Sequence, residues 1–240
     1  MGPRVPGSSG VADPIEIEGD VVYGRRPVAE ARRGRRRVRR VWTTKDLPAS
    51  ELNRLAGSPD HQGVVAEADP YPYADADALL EAPEAMVVAL DQVQDTRNLG
   101  AICRSAEAAG VDGVVIPSRR SAAITPAACK ASAGAVEHLR VARVTNLSDW
   151  LLRAKDASAW VYGAEAGAPS PHTQADLTGK VVLVLGGEGK GLRRRVAETC
   201  DLLVSIPVRG RVASLNVSAA AAVLLFEALR QRRGVLRLLR

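Results

Sequence analysis

The chain has 240 residues, of which 46% are hydrophobic, so it can form one large globular domain and one small one. Aromatic residues make up only 3%, which argues against recognition of bases by stacking on an aromatic-rich sheet. The formal net charge of +6 favours phosphate-bearing partners over small neutral substrates, with nucleic acid first among them.

The sequence also bears on compartment and cofactor class. Its cysteines, Cys103, Cys129 and Cys200, are odd in number and widely spaced, which favours buried free thiols over a disulfide or a zinc site. No stretch reaches the ~20 apolar residues of a membrane span, and the amino terminus lacks the apolar core of a signal peptide. We therefore expect a cytoplasmic protein without a metal centre or a membrane partner.

The amino-terminal part divides into a leader and a small domain. Residues 1–19 are rich in Pro, Gly and Ser and are predicted to be disordered. Residues 20–69 are predicted to form a small α/β domain. Its predicted elements are a helix over Pro27–Arg33, a strand over Val38–Thr43, a helix over Leu47–Leu55 and a closing strand within 61–68.

Nine arginines lie between Arg25 and Arg40, against a single acid, Glu30. Such a run is often no more than a solvated face. The density of positive charge favours an anchor for an RNA backbone, because binding to phosphates releases counterions. The candidate RNA-binding residues are Arg25, Arg26, Arg35, Arg36 and Arg37.

A linker is predicted over residues 70–85, where prolines alternate with acids, and a second domain follows over 86–240. Strands are predicted at Met86–Leu90, Gly113–Pro117, Leu139–Val144 and Ala159–Gly163, and helices at Asn98–Ala109, Pro126–Ala133 and Leu147–Ala154. This alternation predicts an α/β fold with a mostly parallel sheet that helices cover on both faces.

The helix predicted over Asn98–Ala109 carries Arg104, which points away from the apolar stripe of that helix. Most exposed arginines are ordinary surface residues. Here Asn98 can cap the helix, and Gly100 in its first turn permits close approach of another chain or a ligand. Arg104 is therefore a candidate for contact with a ligand or a partner.

The aliphatic run Val181–Leu185 predicts a buried strand that ends at Gly186. The following GGEGKG lacks the spacing of a dinucleotide fingerprint and the Ser or Thr of a Walker loop, and a tight turn alone would explain it. Glu188 favours a functional site, because open α/β sheets bind ligands at the carboxyl ends of their strands. A second glycine-rich turn follows Leu202–Ile206, predicted to be the neighbouring strand, and the two turns predict a pocket lined by backbone amides.

The last predicted helix begins near Ser214 or Asn216, either of which can be its N-cap. Apolar residues repeat at helical spacing as far as Leu229, and alanine dominates one side. We expect the helix over Leu215–Leu229 to pack against a partner molecule, since no remaining chain would cover that side.

Three segments together resemble the motifs of the SpoU, or TrmH, family of RNA 2′-O-ribose methyltransferases. They are DTRNLGAICR with Asn98 and Arg104, LVLGGEGKGL with Glu188, and SIPVRGRVASLNVSAAAAVLLFE with Ile206, Ser214, Leu215 and Asn216. The amino-terminal YGRRPVAEA and HQGVVA are similar to the small substrate-binding domain of the members that methylate a guanosine of 23S rRNA.

The resemblance implies a SPOUT-type α/β fold with a carboxyl-terminal trefoil knot, a rare exception to unknotted topology. It also implies a homodimer that binds S-adenosylmethionine largely through backbone groups of Gly186, Ile206 and Leu215. Arg104 of one subunit would act at the other subunit's site by stabilising the ribose alkoxide, because arginine holds its proton firmly. The residues that would orient Arg104, the ribose and the loops are Asn98, Glu188, Ser214 and Asn216.

The expected reaction is S-adenosylmethionine-dependent 2′-O-methylation of a guanosine ribose in 23S rRNA. Two alternatives remain open. One is a 2′-O-methyltransferase of tRNA or of another rRNA nucleotide, as in resistance enzymes. The other is a non-enzymatic RNA-binding or ribosome-assembly factor that retains the fold, which cofactor binding would discriminate from an enzyme.

Overall fold

The computed structural model describes residues 15–187, 189 and 191–238, with side chains described up to residue 233. Within these residues the strands are β1 Asp20–Tyr23, β2 Val38–Thr43, β3 Val64–Ala68, β4 Met86–Asp91, β5 Gly113–Pro117, β6 Val141–Val144, β7 Trp160–Ala164, β8 Ser170–Pro171, β9 Val181–Gly186 and β10 Leu202–Ser205. The helices are α1 Arg25–Ala31, α2 Ala49–Ala56, α3 Thr96–Ala109, α4 Pro126–Ala131, α5 Leu147–Asp156, α6 Arg194–Thr199 and α7 Val217–Leu238.

Strands β1, β3 and β2, in that order, form an antiparallel sheet that we call the small sheet. Alternate strand residues point to opposite faces, so Val22 packs toward α1 while Tyr23 packs toward α2 with Leu52. Ile15 and Ile17, from the segment predicted as a leader, pack against the Tyr23 cluster. We call the small sheet, together with α1 and α2, the amino-terminal unit.

The segment over residues 70–85 packs closely against the rest of the protein. Tyr71 is buried, and its hydroxyl donates to the carbonyl oxygens of Val136 and Leu139 at 2.8 and 2.9 Å. Leu79 and Leu80 in the following 3-10 turn are buried as well. This segment is therefore packed against the second sheet and is not a free spacer.

In the described residues the second sheet has the strand order β6-β5-β4-β9-β7-β10-β8, and every neighbouring pair is parallel. We call it the large sheet, and with its helices it is the carboxyl-terminal unit. Helices α3, α4 and α7 cover one face, and α5 and α6 cover the other. The prediction of an α/β fold with a mostly parallel sheet is confirmed.

Helix α3 begins earlier than the sequence pattern indicated. Asp95 is its N-cap, and its Oδ1 accepts from the backbone N–H of Arg97 at 2.7 Å. The prediction that Asn98 caps this helix is wrong, because Asn98 already lies inside the first turn. The close approach predicted at Gly100 is made by α4 of the same chain, since a Cβ there would lie 2.5 Å from Cβ of Ala131.

Helix α7 packs along α3. Its alanine side is buried within the chain, with Ala221 and Leu225 fully covered. The expectation that this side needs a partner molecule is therefore wrong, because α3 covers it. The exposed apolar residues of α7 lie on the opposite side, where Val223 is 37% and Phe226 is 50% exposed.

The cysteines are free, as predicted. Cys103 and Cys129 are buried, and burial raises the pKa of each thiol to about 12. Cys200 is half-buried at the end of α6. At neutral pH the thiols are therefore protonated and serve as packing groups.

The two units meet at a buried ion pair. Arg36, beyond α1, donates to Glu137 through Nε at 2.9 Å and through Nη2 at 2.7 Å. The side chains are 2% and 1% exposed. The remaining donors of the guanidinium reach Asp20 Oδ2 at 3.1 Å, the carbonyl oxygen of Asp69 at 3.4 Å and Cys129 Sγ at 3.4 Å. Arg36 is thus fully satisfied inside the protein.

We expect Arg36→Met to lower the free energy of unfolding by about 3–5 kcal/mol, because Glu137 is then buried without a partner. Arg36→Met combined with Glu137→Leu should recover most of that loss, since no buried charge remains. Urea denaturation of both variants measures the difference.

The control is Arg54→Met, which breaks an ion pair with Glu51 in which the two side chains are 47% and 41% exposed. This variant should denature almost like the unchanged protein, because exposed pairs contribute little. Equal losses for Arg36→Met and Arg54→Met would refute the role given to the buried pair.

Candidate functional site

A cavity of about 480 Å³ lies at the carboxyl ends of β9, β7 and β10. It is bounded by the turn after β9, the start of the loop after β7, and the segment from β10 to α7. Gly186, Ile206 and Leu215 all line it, together with Ser214 and Asn216. Residues from the second and third sequence motifs therefore converge on one cavity.

The strands that carry these two motifs are not neighbours. Strand β7 lies between β9 and β10, so the prediction that they are adjacent is wrong. The end of β7 and the loop after it instead contribute Ala164 and Glu165 to the cavity wall. Glu165 supplies a carboxylate that the sequence analysis did not identify. Its position after a buried strand is the same signal that drew attention to Glu188.

The turn after β9 folds back on itself. Gly187 and Gly191 form an antiparallel bridge, and the Gly191 N–H donates to the Gly187 carbonyl at 3.2 Å. A Cβ on Gly186 would overlap the backbone of Gly191 and Leu192. Glycine at 186 is therefore required by close backbone approach. Glu188, the predicted catalytic residue of this turn, lies outside the described residues.

A buried carboxylate holds the far end of this turn. Asp91 at the end of β4 is fully buried, and its Oδ2 accepts from the backbone N–H of Arg193 at 2.8 Å. Its Oδ1 accepts from Nε of Arg193 and forms an ion pair with Nη2, both at 2.7 Å. Sequence reasoning missed this pair, although an aspartate that ends an aliphatic strand could have signalled it.

The first and third motifs meet through two asparagines. Asn216 Nδ2 donates to Asn98 Oδ1 at 3.1 Å. Asn216 is also the side-chain cap of α7, because its Oδ1 accepts from the backbone N–H of Ser218 at 2.9 Å. Of the two caps proposed from sequence, Asn216 is therefore the one that the structure uses. Ser214 is exposed in the loop and lines the cavity.

Arg104 lies on the exposed side of α3, as its helical position predicted. It is not among the residues that line the cavity of its own chain. Within the described parts of the chain it takes part in no ion pair, so its guanidinium is free to meet a group from outside. The structure thus assembles Asn98, Ser214 and Asn216 near the cavity and leaves Arg104 apart from it.

The predicted RNA-binding arginines divide into two groups. Arg25, Arg26, Arg35 and Arg37 are exposed. Arg36 is 6% exposed and paired with Glu137, so its prediction as an RNA ligand is wrong. A guanidinium with every donor satisfied inside the protein has none left for a phosphate.

Metal ligands and membrane spans were the remaining features to locate among the described residues. In residues 15–187, 189 and 191–238, His, Cys, Asp and Glu side chains form no group of three that could hold a metal ion. Over the same residues, no helix is both long enough and apolar enough to cross a membrane.

Comparison with known proteins gives a consistent result. The SpoU rRNA methylase family matches residues 85–226, more than half of the chain. A tRNA/rRNA methyltransferase of Mycobacterium avium, itself uncharacterized, is 47% identical over 193 residues, which are 79% of this chain and 62% of the relative. A protein of Staphylococcus saprophyticus, assigned to the TrmH family of tRNA/rRNA methyltransferases, is 43% identical to this chain. The match covers 78% of this chain and 77% of the length of that protein. This chain therefore spans under two thirds of the mycobacterial relative.

Among solved structures, the SpoU methyltransferase AviRb from Streptomyces viridochromogenes, crystallised with AdoMet, matches with a TM-score of 0.75 and 29% identity. The match covers 89% of this chain and 90% of that one. It therefore extends beyond the residues of the large sheet and its helices.

We expect Gly186→Ala to lower the free energy of unfolding by about 1–3 kcal/mol, because the added methyl group must push the 191–192 backbone aside. Chemical denaturation tests the size of the loss. The matched control is Gly210→Ala, since a Cβ at Gly210 meets nothing within 4 Å. A Gly186→Ala protein as stable as Gly210→Ala would show that the turn is loosely packed.

Proposed function

Because the chain belongs to the SpoU rRNA methylase family, we propose that it transfers a methyl group from S-adenosylmethionine to the 2′-hydroxyl of a ribose in RNA. The observation that supports this most directly is the convergence of the second and third motifs on one cavity at the carboxyl edge of the large sheet. The similar AviRb structure contains AdoMet, which supports the same cofactor here.

The cavity suits such a cofactor. Its volume of about 480 Å³ lies in the range of about 300–1,000 Å³ that is usual for small-molecule sites. Leu185, Val204 and Val217 make its walls apolar, and Gly186 contributes backbone to its lining. Backbone groups of Gly186, Ile206 and Leu215 would hold the cofactor, which supplies an electrophilic methyl group when bound.

The protein's own task in this reaction is to orient the ribose and to stabilise charge. The ribose hydroxyl is a weak nucleophile, and negative charge develops on its oxygen as the hydroxyl proton passes to water, before the new bond to the methyl carbon is complete. The guanidinium of Arg104 stabilises that charge electrostatically, because arginine stays protonated. Asn98, Ser214 and Asn216 hold the loop and the ribose in position, and we assign the same role to Glu188.

This assignment requires a homodimer, since Arg104 lies away from its own cavity. Exposed apolar residues supply a surface for it. In the loop before α7, Val208, Val212 and Leu215 are 42%, 75% and 43% exposed, and Val223 and Phe226 of α7 continue the surface. We propose that a second copy covers these residues and brings its Arg104 to the cavity. The interface therefore uses the outer side of α7, not its alanine side.

We further propose the carboxyl-terminal trefoil knot of this family. The chain leaves β10 near one edge of the large sheet and returns to pack α7 on α3. On the way it comes close to the turn after β9, since both segments line the same cavity. This return path supports the proposed knot.

For the substrate we propose rRNA, with a guanosine of 23S rRNA as the target, in the cytoplasm. The basic amino-terminal unit supports an RNA substrate, as does the name of the matching family. The relatives are described as acting on tRNA or rRNA, so the assay should offer both. A non-enzymatic factor would bind RNA and transfer no methyl group.

We expect Arg104→Ala to lower the single-turnover rate of methyl transfer by about two to three orders of magnitude, as for a lost oxyanion donor, while RNA affinity changes little. Arg104→Lys should stay mostly inactive because it loses the planar fork. The assay measures label from tritiated S-adenosylmethionine in rRNA and in tRNA.

The control for this assay is Arg153→Ala, an arginine of α5 that is 52% exposed and paired with Asp77. It should react at the normal rate. Normal turnover by Arg104→Ala would show that the catalytic arginine is wrongly assigned. Absence of transfer by the unchanged protein to any RNA, with cofactor bound, would favour the non-enzymatic alternative.

We expect Phe226→Glu to produce monomers in sedimentation experiments at tens of micromolar, because it places a charge in the proposed interface. Leu152→Glu is the control, since Leu152 is equally exposed at 49% but lies on α5. Mixing inactive Arg104→Ala with inactive Ile206→Arg should restore methyl transfer, because a mixed dimer has one complete site and Ile206 lines the cavity without belonging to the proposed interface. Failure to complement would refute the shared site.

A further inference from the structure

A second cavity of about 620 Å³ lies where the two units meet, and we call it the junction pocket. Its lining residues are Arg25, Arg26, Pro27, Gln62, Lys130 and Ala133. The first four belong to the amino-terminal unit, and the last two belong to α4 and the turn after it. Half of the lining residues are therefore cations, drawn from both units.

These cations have no acidic partners in the described chain. Arg25, Arg26 and Lys130 form no ion pair there, whereas Arg33, Arg36 and Arg39 of the same basic run all pair with carboxylates. Three like charges around one cavity repel each other, and an anion between them would relieve the repulsion. The lining therefore suits a ligand that carries negative charge.

Two of the three cations, Arg25 and Lys130, are held in place by contacts within the protein. Arg25 is tied to Gln62, whose side-chain Oε1 accepts from the Arg25 backbone N–H at 3.1 Å and whose carbonyl accepts from Arg25 Nε at 3.3 Å. Lys130 Nζ lies 5.9 Å from the centroid of the Tyr23 ring. It also lies against Gly24, where a Cβ would come within 2.6 Å of it. The ammonium group thus sits beside the residue that precedes Arg25.

The backbone of the pocket wall is also unusual. Gln62 and Ala133 both adopt φ of 53°, a left-handed conformation that residues with a Cβ rarely adopt. Such conformations persist where the surrounding structure fixes them, and they occur often at ligand sites. The two walls of the pocket are therefore shaped by the fold, one wall from each unit.

We infer that the junction pocket binds a phosphate group of the RNA strand, with Arg25, Arg26 and Lys130 as its cationic ligands. This inference rests on the proposed function, which supplies an RNA substrate. A phosphate fits because guanidinium and ammonium donors converge on it from two sides. An RNA strand fits better than a free anion because the cavity opens at the seam between the units, where a backbone can pass.

The consequence is that RNA contacts both units at once. Lys130 lies on α4, which packs against α3 at Gly100. Helix α3 carries Asn98 and Arg104, so a phosphate held at Lys130 stands at a fixed offset from the proposed catalytic residues. The junction pocket is therefore a positioning site for the substrate and not part of the reacting centre.

The test measures RNA binding separately from methyl transfer. Lys130→Gln and Arg26→Gln each remove one pocket charge, and Lys130→Arg keeps it. The control is Arg40→Gln, an exposed arginine of the same basic run that does not line the pocket. Filter binding to transcribed 23S rRNA over a salt series gives affinity and salt slope, and calorimetry with inorganic phosphate gives the affinity for a free anion.

For Lys130→Gln and Arg26→Gln we expect RNA affinity to fall roughly tenfold at low salt and the salt slope to fall by about one, as for a lost phosphate contact. Lys130→Arg should bind almost normally. Cofactor affinity should stay unchanged, because these residues do not line the cofactor cavity.

Two results would overturn the inference. The first is RNA binding by Lys130→Gln that matches Arg40→Gln in affinity and slope. The second is loss of inorganic phosphate binding with RNA binding intact, which would assign the pocket to a free anion.

If the unchanged protein binds RNA with the expected slopes but transfers no methyl group, the proposed function fails while the junction pocket stands. If it binds no RNA, both fail.

Discussion

The bidentate pair between Arg36 and Glu137 is the interaction on which the arrangement of the two units depends. Both side chains are almost completely buried. If the units separated, each charge would lose its partner while still partly enclosed by protein, which costs free energy. Burial alone would lower the pKa of Arg36, but the hydrogen bonds and charge of Glu137 raise it overall. Arg36 therefore remains charged at any physiological pH, and its bonds to Glu137 hold the two units together.

That constraint explains how one run of arginines serves two purposes. Arg36 turns inward and joins the units, and Arg39 pairs at the surface with Asp69. Arg25 and Arg26, at the start of α1, face the junction pocket instead. All these arginines carry the same charge and lie in the same run of sequence. Their roles differ because each guanidinium meets a different partner after folding. For Arg36 that partner is Glu137, which lies 101 positions away in the chain.

The sequence predicts local structure well here and long-range pairing poorly. Strands β2 and β5 have the predicted bounds, because aliphatic runs between glycine, proline and polar residues fix them. Gly186, Ile206 and Leu215 converge as their motifs predicted. The Asp91–Arg193 pair and the order of β9, β7 and β10 depend instead on segments far apart in the chain. An aspartate that ends an aliphatic strand can signal a buried contact, but no local pattern identifies its partner. The exposure of Arg36 was misjudged for the same reason.

The position of Arg104 shows why rigidity matters in this fold. Asn98 and Arg104 are six residues apart on α3, which places them about 9 Å apart along the helix axis. Asn98 bonds to the cap of α7 beside its own cavity, while Arg104 faces outward. In the proposed homodimer, one rigid helix would thus serve two sites. Lys130 belongs to α4, and α4 packs against α3 at Gly100. The packing of these two helices would therefore fix the position of a phosphate in the junction pocket relative to Asn98 and Arg104. A side chain at residue 100 would disturb that placement without touching RNA or cofactor.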